Sequence, residues 1–368
     1  MKPKTKTKMA KNYSRTIGVF YGSRSAEHSE SCQTAALVVK SLVELGFNVV
    51  GIYLDVDGRW YLSPASDLNS RQSSLEPSAD SNLVVNDWTL HLNRSGKLHF
   101  SKKQMLRSEE FIIDLAFPAF HGLAGEDGTF QGLCDLLSVP YIGCGLTTSV
   151  LALDKVLAKD VLEVNELPTK PYAYFNDREW HEGAESLHQY LTQTLSYPLY
   201  VKPARLGGSV GVSRVDNDDD LVAAIDEAFE YDDKILIEEE VSNPIDMAVA
   251  VTGNYFDPDK IQVSKPMLSV NLGGSAACEI KLSATVVKKV SELSKRVFMA
   301  FEARGTAQID FVYNLATKEV FITEIDTIAH NLSLPIWEQG GVSKGEVLRE
   351  LVRLADQNLE YRLGMGNF

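Results

Sequence analysis

The chain has 368 residues, of which 44% are hydrophobic and 23% are charged, a composition typical of a globular protein with room for two or three domains. Its 50 acidic and 36 basic residues give a net charge of −14, which argues against non-specific nucleic-acid binding as its main task. No apolar run approaches the ~20 residues that a membrane-spanning helix needs.

The first residues, MKPKTKTKMAKNYSRT, form a basic segment without the apolar stretch of a signal peptide. Residues 1–15 are predicted to be a disordered tail, with the alternative that this segment contacts an acidic partner. The four cysteines show no CxxC pair and no metal-like spacing: Cys32, Cys134, Cys144 and Cys278. This pattern predicts reduced thiols in a cytoplasmic protein.

Residues 16–150 have the pattern of an α/β domain. The apolar run TIGVFYG predicts a buried parallel strand, the following segment has helical spacing up to Gly46, and NVVGIYLD predicts a second strand. Residues 111–122 predict a further strand, followed by a helix from about Thr129 and a short strand at VPYIG. The Ser-rich residues 63–82 predict an exposed loop.

Two further domains are predicted, at 151–240 and 241–368. In the first, a helix and a Pro-bounded strand at 151–175 precede a strand, glycine turn and strand at 197–215. A helix and a strand ending in acids complete it. The second is predicted to contain the strands DMAVAVTGN, AQIDFVYN and EVFITEIDT and helices at 283–303 and 343–357.

The glycine turn is the first candidate site. Glycines let backbone N–H groups approach phosphate oxygens closely, and Lys202 on the preceding strand can reach a phosphate as a point charge. The turn contains Gly207, Gly208, Ser209 and Gly211. A lid over phosphates and an ordinary glycine-rich hairpin are both consistent with this pattern.

Acidic residues mark two other strands. Glu238, Glu239 and Glu240 end the run ILIEEEV, where they can accept hydrogen bonds from a purine or a ribose or form a solvated acidic corner. Asp310 lies in AQIDFVYN. Glu324 and Asp326 lie two apart in ITEID, so they point to the same side of one strand. Two antiparallel neighbouring strands would bring these three carboxylates together, as Mg²⁺ ligands or as partly exposed acids.

Two loops follow strands of the N-terminal domain, where α/β sheets bind ligands. One contains Glu27 and the other His121. A histidine there is often structural; together with Glu27, it can position a zwitterionic substrate, the carboxylate holding the amine.

The order of the motifs resembles that of the D-alanine–D-alanine ligases of the ATP-grasp superfamily, over about residues 16–357. The stretches that carry the resemblance are GSRSAEHSES, FPAFHGLAGEDGTFQGL, VPYIGCG, ALDKVLAK, PLYVKPARLGGSVGVSRV, DDKILIEEEV, AQIDFVYN and ITEID. The resemblance implies a three-domain α/β ATP-grasp fold: an α/β N-terminal domain, a central lid domain and a C-terminal α+β domain. It implies amino-acid substrates, ATP, Mg²⁺ (two ions), an acyl-phosphate intermediate and a homodimer.

The resemblance also implies roles for individual residues. Lys155, Lys202 and the loop Gly207–Gly211, with Ser209, would contact the phosphates of ATP. Glu238, Glu240 and Val241 would meet the adenine, and Asp246 the ribose. Asp310, Glu324 and Asp326 would hold Mg²⁺. Glu27 would bind the first substrate's ammonium and His121 would lie beside its carboxylate. Glu27, Gln308 and Ser209 are the candidate catalytic residues.

Several positions depart from the family pattern. Gln308 stands where the family has an arginine that contacts the reacting carboxyl group, and Gly208 replaces the usual lid serine. The loop after Asp326 is shorter, leaving Ser333 as the counterpart of the residues that hold the second amino acid's carboxylate and His330 as a new polar group. The segment between Lys265 and Lys281 lacks the family's Tyr and Lys.

Three functional hypotheses follow. The first is a D-alanine–D-alanine ligase serving peptidoglycan synthesis, and the second is a ligase of the same chemistry with a different acceptor. The third is a non-catalytic ATP-binding homologue. Ligase chemistry is favoured because the nucleotide and metal positions are intact.

Overall fold

A computed structural model of the chain describes residues 15–64, 88–91, 96–103, 108–268 and 282–365. The predicted tail before Arg15, residues 65–82 of the predicted loop and residues 269–281 of the segment after Lys265 lie outside these ranges. No helix of the described part has an apolar stretch long enough to cross a lipid bilayer.

The N-terminal part is built on a sheet with the strand order β3-β2-β1-β7, in which β1 pairs in parallel with β2 and β7. A smaller antiparallel sheet contains β4, β5 and β6. The elements are β1 (Thr16–Gly22), α1 (His28–Glu44), β2 (Asn48–Leu54), β3 (Trp60–Pro64), β4 (Trp88–His91), β5 (Leu98–Lys103), β6 (Ser108–Ile113), β7 (Leu115–Pro118) and α2 (Thr129–Leu137). The predicted βαβ unit is confirmed, and Gly46 follows α1 in the left-handed conformation (φ 86°) that favours glycine after a helix.

Two predictions in this part are wrong in detail. The strand predicted over 111–122 is divided between β6 and β7 at Asp114, whose carboxylate accepts a hydrogen bond from the Thr16 backbone N–H at 2.8 Å. The strand predicted at VPYIG is reduced to one bridge between Tyr141 and Ala116. Pro140 precedes that bridge and has no N–H to extend the ladder.

The middle part carries a sheet with the order β10-β9-β11-β8. Its elements are α3 (Leu146–Leu153), α4 (Lys155–Val164), β8 (Tyr172–Asn176), α5 (Asp177–Thr194), β9 (Leu199–Pro203), β10 (Ser213–Val215), α6 (Asp218–Phe229) and β11 (Lys234–Glu239). The helix predicted from residue 151 is interrupted at Asp154, which is extended and accepts hydrogen bonds from the N–H groups of Val156 and Leu157. Asp154 thereby caps α4 and makes Lys155 its first residue.

The last part contains a sheet with the order β13-β12-β15-β16, in which β14 also pairs with β12. Its elements are β12 (Pro244–Asn254), β13 (Gln262–Val263), β14 (Met267–Leu268), α7 (Ala284–Ala300), β15 (Arg304–Asn314), β16 (Val320–Asp326), α8 (Leu334–Gln339) and α9 (Lys344–Met365). A short 3₁₀ turn, His330–Ser333, connects β16 to α8. The helix predicted over 343–357 is longer, because it continues to Met365.

The hydrophobic cores join segments that are distant in sequence. Leu348 and Leu351 of α9 and Trp337 of α8 pack with Ile17 and Leu42 of the N-terminal sheet and helix. Helices α3 and α4 pack against the last sheet, where their residues share a core with Val249 and Ile309. These packings bring the strand ends of the first sheet, the glycine turn and the pair β15–β16 to one place.

Candidate active site

A cavity of about 490 Å³ lies between the middle and last sheets. Most of the predicted nucleotide-binding residues line it, coming from the start of α4, β9, the glycine turn, the connection from β11 to β12 and the start of β12. The lining residues are Lys155, Lys170, Tyr200, Lys202, Leu206, Gly207, Gly208, Ser209, Val212, Glu240, Val241, Pro244, Asp246, Val312, Thr323 and Glu324. Lysines and glycines on one wall and acids on the other suit a polyphosphate with a metal.

Glu238, which the resemblance places at the adenine, is not among the lining residues, and its role stays a prediction. Its side chain is buried and lies 2.7 Å from Lys159 Nζ, 2.8 Å from Lys170 Nζ and 2.7 Å from Lys202 Nζ. Burial opposes ionisation, but attraction to the three lysines outweighs it and holds the pKa of Glu238 well below 4.5. One carboxylate therefore stands among three ammonium groups, which leaves this wall of the cavity net positive.

The glycine turn closes against the N-terminal part of the chain. A Cβ at Gly207 or Gly208 would lie 3.0 or 3.1 Å from Glu27 Oε1, and Gly208 has a φ of +61°, a conformation that favours glycine. The Lys155 ammonium donates to the Leu206 carbonyl at 2.6 Å and lies 3.6 Å from Glu324 Oε1. Lys155 thus links the turn to the acidic strand.

The predicted pairing of the acidic strands is confirmed. Asp310 pairs with Glu324, and Gln308 pairs with Asp326, in the antiparallel ladder of β15 and β16. Cross-strand partners point to the same face of a sheet, so all four side chains share one face. A bulge between Asp310 and Phe311 shifts the register.

Few positive charges lie near the carboxylates of this face. Burial, with Glu324 nearby, raises the pKa of Asp310 to about 7. Burial, with Glu126 and Glu324 nearby, raises the pKa of Asp326 well above its usual value. Within the described ranges, no three His, Cys, Asp or Glu side chains lie close enough together to hold a metal ion as they stand. The donor set of three neighbouring carboxylates fits Mg²⁺, which takes its other ligands from water and phosphate.

Glu27 and His121 lie together, as the pattern of strand-end loops predicted. A Cβ at Gly122, next to His121, would lie 2.7 Å from Glu27 Oε2. Burial raises the pKa of Glu27, an effect that nearby His121 opposes. His121 Nε2 is 2.9 Å from Thr34 Oγ1, and Nδ1 is 3.5 Å from Glu126 Oε1. Burial lowers the pKa of His121 and, with Glu27 nearby, raises that of Glu126 to about 8.

The turn after β16 holds Ser333 and His330 at the far end of the acidic face. Asn331, Leu332 and Ser333 have φ values of 50°, 53° and 54°; asparagine adopts this left-handed conformation readily, but Leu332 and Ser333 each cost about 1–2 kcal/mol. Burial of the Leu332 side chain in the N-terminal core offsets part of this cost. Ser333 is buried and donates to Gln308 Oε1 at 2.9 Å, while the His330 and His121 rings are 6.2 Å apart.

Comparison with known proteins assigns the chain to a family. The model "D-ala D-ala ligase N-terminus" matches residues 16–144, and "D-ala D-ala ligase C-terminus" matches residues 161–353. This chain belongs to the D-alanine–D-alanine ligase family. The family consists of ATP-dependent ligases, so the predicted class of enzyme is confirmed.

Individual D-alanine–D-alanine ligases resemble the chain over nearly its whole length. The enzyme of Heliobacterium modesticaldum is 32% identical, with 92% of this chain and 94% of that protein covered. The enzyme of Bacillus velezensis is 32% identical, with 92% and 96% covered.

Solved structures agree with the sequence relatives. The D-alanine–D-alanine ligase of Coxiella burnetii is 26% identical, with 95% of this chain and 96% of that chain covered and a TM-score of 0.81. The VanG D-Ala:D-Ser ligase of Enterococcus faecalis is 26% identical, with 93% and 99% covered and a TM-score of 0.75. The predicted α/β ATP-grasp fold is confirmed.

Sequence reasoning missed several site residues of this family member. Lys159 lies one helical turn after Lys155 on α4, and that spacing could have indicated it. Lys170 precedes Pro171 without any recognisable pattern, and nothing in the stretch FPAFHGLAGEDGTFQGL distinguishes Glu126 as a site residue. Thr34 and Tyr200 lie at the site because of tertiary packing.

Proposed function

We propose that the chain is an ATP-dependent carboxylate–amine ligase that joins two small amino acids. The product expected for this type of ligase is D-alanyl-D-alanine for peptidoglycan synthesis. One observation carries this proposal: a cavity lined by lysines and glycines reaches Glu324, Asp310 and Asp326 share the strand face of Glu324, and Glu27 lies against the glycine turn.

The cavity lining divides into a phosphate end and a base end. Lys155, Lys202 and the loop Gly207–Gly211, with Ser209, lie where they can surround the phosphates of ATP through charge and backbone N–H groups. Glu240 and Val241 line the connection to β12, where the adenine edge would lie. Asp246 would accept a hydrogen bond from the ribose.

Asp310, Glu324 and Asp326 would hold Mg²⁺, and we propose two ions. When bound, Mg²⁺ neutralises phosphate charge and aligns the γ-phosphoryl group. The protein's own part is to keep three carboxylates on one face and, through Lys155, to join that face to the lid.

The donor substrate would lie between Glu27 and the acidic face. Glu27 would hold its ammonium and His121 would lie beside its carboxylate, which would attack the γ-phosphorus of ATP and form an acyl phosphate. The amine of the second substrate would then attack the acyl carbon and displace phosphate. Ser209 in the lid and Gln308 beside Asp310 are the side chains proposed to contact the reacting groups; Ser333 and His330 would border the second substrate.

The test is ATP-dependent phosphate release against a panel of D- and L-amino acids, hydroxy acids and amines, with product masses determined. Lys202→Ala and Glu324→Ala are expected to abolish turnover. Undiminished turnover in either variant would contradict the assigned phosphate and metal roles.

Two other functions are considered. Gln308 lacks the charge of the arginine that the resemblance places there, which favours an acceptor other than D-alanine; a family structure is titled as a D-Ala:D-Ser ligase. The third hypothesis, a non-catalytic ATP-binding homologue, is opposed by the intact nucleotide and metal positions. Binding of ATP in calorimetry without turnover on any substrate would support that last function.

The location and assembly of the chain are part of this proposal. Cys32, Cys134 and Cys144 are buried, as expected of thiols in a cytoplasmic enzyme that uses ATP. A homodimer stays a prediction, which light scattering of the purified chain tests.

A further inference from the structure

Lys170 lies beside the connection from β11 to β12, where the proposed function places the adenine. Its side chain lines the nucleotide cavity together with Glu240 and Val241, and the same three residues line a second, adjoining cavity of about 570 Å³. The Glu239 backbone N–H donates to the Pro171 carbonyl at 3.1 Å, which holds Lys170 next to this connection. Lys170 therefore stands at one end of the nucleotide cavity.

Lys170 and Lys202 share one carboxylate oxygen. Their Nζ atoms lie 2.8 Å and 2.7 Å from Glu238 Oε2, so the two nitrogens are no further apart than these two distances combined. Both lysines line the nucleotide cavity, whereas Glu238 is buried and is not among its lining residues. An anionic oxygen on the cavity side can therefore bridge the same two ammonium groups that Glu238 Oε2 bridges from the buried side.

The Lys170 ammonium has N–H groups available to a ligand. An ammonium carries three N–H donors, and within the described ranges Glu238 is the only ion-pair partner of Lys170. Lys159 differs, because it donates to Thr169 Oγ1 at 2.6 Å and lies over the Tyr172 ring, in addition to its contact with Glu238 Oε1 at 2.7 Å. Lys159 is also not among the lining residues of the cavity. Its donors are used inside the protein, whereas those of Lys170 can reach a bound molecule.

Three ammonium groups around one carboxylate leave an excess of positive charge. Burial lowers the pKa of Lys170, an effect that Glu238 opposes and Lys202 increases. A buried cation without a full counter-charge is costly, so an anion that enters the cavity beside Lys170 offsets this cost. A neutral purine ring has no charge with which to do so. The charge balance therefore favours a phosphate, and not the base, as the partner of Lys170.

The order of the lysines along the cavity indicates which phosphate this is. Lys155 lies 3.6 Å from Glu324 Oε1, on the acidic face where Mg²⁺ and the transferred γ-phosphate would lie. Lys170 lies beside Glu240 and Val241, where the base would lie. The phosphate next to the nucleoside is the α-phosphate, so this is the group that Lys170 is placed to meet.

We propose that Lys170 binds the α-phosphate of the nucleotide jointly with Lys202, and that Glu238 holds the two ammonium groups together for one phosphate oxygen. This inference rests on the proposed function, because it needs a nucleotide in the cavity. Lys170 is then a nucleotide-binding residue of this chain in addition to Lys155, Lys202 and the glycine turn. It makes and breaks no bond, so its contribution is to nucleotide affinity.

The test compares ligands that differ in the α-phosphate alone. Binding of ATP with Mg²⁺ to the purified full-length chain is measured first by calorimetry. The Kd values of adenosine and AMP are then measured by competition against ADP, and the readout is the ratio of the Kd for adenosine to the Kd for AMP. A general loss of binding leaves this ratio unchanged, whereas loss of a contact with the α-phosphate lowers it.

Three variants assign the ratio to individual lysines. Lys170→Met removes the charge and keeps an unbranched side chain, and Glu238 retains two lysine neighbours, so the fold should be preserved. We expect the ratio to fall at least tenfold in Lys170→Met and in Lys202→Met, because a charge-assisted contact with phosphate is lost. Lys159→Met, the matched control, removes an equivalent neighbour of Glu238 that does not line the cavity, and should change the ratio less than threefold.

The outcomes separate this inference from the proposed function. If the natural chain binds no ATP, the proposed function fails and this inference fails with it. If it binds ATP but Lys170→Met keeps the ratio within threefold, or loses adenosine and AMP equally, this inference alone is overturned.

A structure of the natural chain with a non-hydrolysable ATP analogue and Mg²⁺ decides the question without any variant. Lys170 Nζ is expected within about 3.2 Å of an α-phosphate oxygen. A Lys170 ammonium that contacts the base, or no part of the nucleotide, would overturn the inference even if Lys170→Met failed to fold.

Discussion

The ionisation of Glu238 depends strongly on the side chains around it. It pairs with Lys159, Lys170 and Lys202 in the buried floor of the nucleotide cavity. Glu238→Gln is expected to lower the free energy of unfolding by roughly 3–5 kcal/mol, because it leaves buried ammonium groups unpaired. Urea unfolding at pH 7 measures this, and Glu239→Gln, the adjacent position on β11, should cost less than about 1 kcal/mol.

The same carboxylate predicts a pH dependence. The pKa of Glu238 in the folded chain lies well below 4.5, so its stabilisation is complete above the unfolded-state value and is lost as the pH falls toward the folded-state value. Between pH 7 and pH 3, the free energy of unfolding should therefore fall more steeply with decreasing pH for the natural chain than for Glu238→Gln. Equal pH slopes would contradict the assignment.

Gly208 is a second single position with a large expected effect. Its φ is +61°, and a Cβ would lie 3.1 Å from Glu27 Oε1, so Gly208→Ala strains the lid and displaces the Glu27 carboxylate. We expect kcat/KM for phosphate release to fall about tenfold, the equivalent of ~1.4 kcal/mol. Gly183→Ala, where a Cβ meets nothing within 4 Å, should retain the natural rate.

Among strands and turns, the bulge of β15–β16 decides which acids face the site. Ile322 and Ile325 are both buried, although residues three apart in a regular strand point to opposite faces. The ladder pairs Phe311 with Ile322 and Asp310 with Glu324, so Thr323 is the extra residue. The bulge therefore lets both isoleucines face the core while Glu324 and Asp326 share the opposite face.

Deletion of Thr323 tests this assignment. Without Thr323, the residues Ile322, Glu324, Ile325 and Asp326 alternate regularly between the core and the acidic face, so we expect the deletion variant to keep its fold and both acids on their face. Insertion of an alanine after Glu324 keeps Thr323 but turns Ile325 away from its face, and should lower the melting temperature clearly. A deletion variant that unfolds, or an insertion variant with natural stability, would contradict the assignment of Thr323 as the extra residue.

The order of elements could be predicted far better than the contacts between them. Periodicity and turn residues indicated the βαβ unit, the hairpin around the glycines and the pair β15–β16. The break at Asp154 was missed because an acid inside a helical pattern is unremarkable until its carboxylate is seen to cap α4. The left-handed turn at 331–333 was missed because neither Leu332 nor Ser333 favours that conformation.

Across the assembled chain, the middle and last sheets line one cavity, so ligand binding should stabilise the folded protein. A non-hydrolysable ATP analogue with Mg²⁺ is expected to raise the free energy of unfolding by about 2.7 kcal/mol at 100 times its Kd. Thermal unfolding measures the shift, and chelation of Mg²⁺ should reverse most of it. Asp310→Asn should lose the Mg²⁺-dependent part, while Asp259→Asn, in an exposed turn, should keep it.

The amino-acid sequence was sufficient to identify the strands, the glycine turn, the acidic pair and the family, because these follow from local patterns and from the order of motifs. Only the tertiary structure determined that Glu238 pairs with three lysines and that Ser333 donates to Gln308. The reason is that a side chain's hydrogen-bond partners and charge environment come from segments far apart in the chain. ITEID could be recognised as an acid pair from its spacing, but which faces its residues occupy depends on a bulge that only the packing of Ile322 and Ile325 against the core enforces.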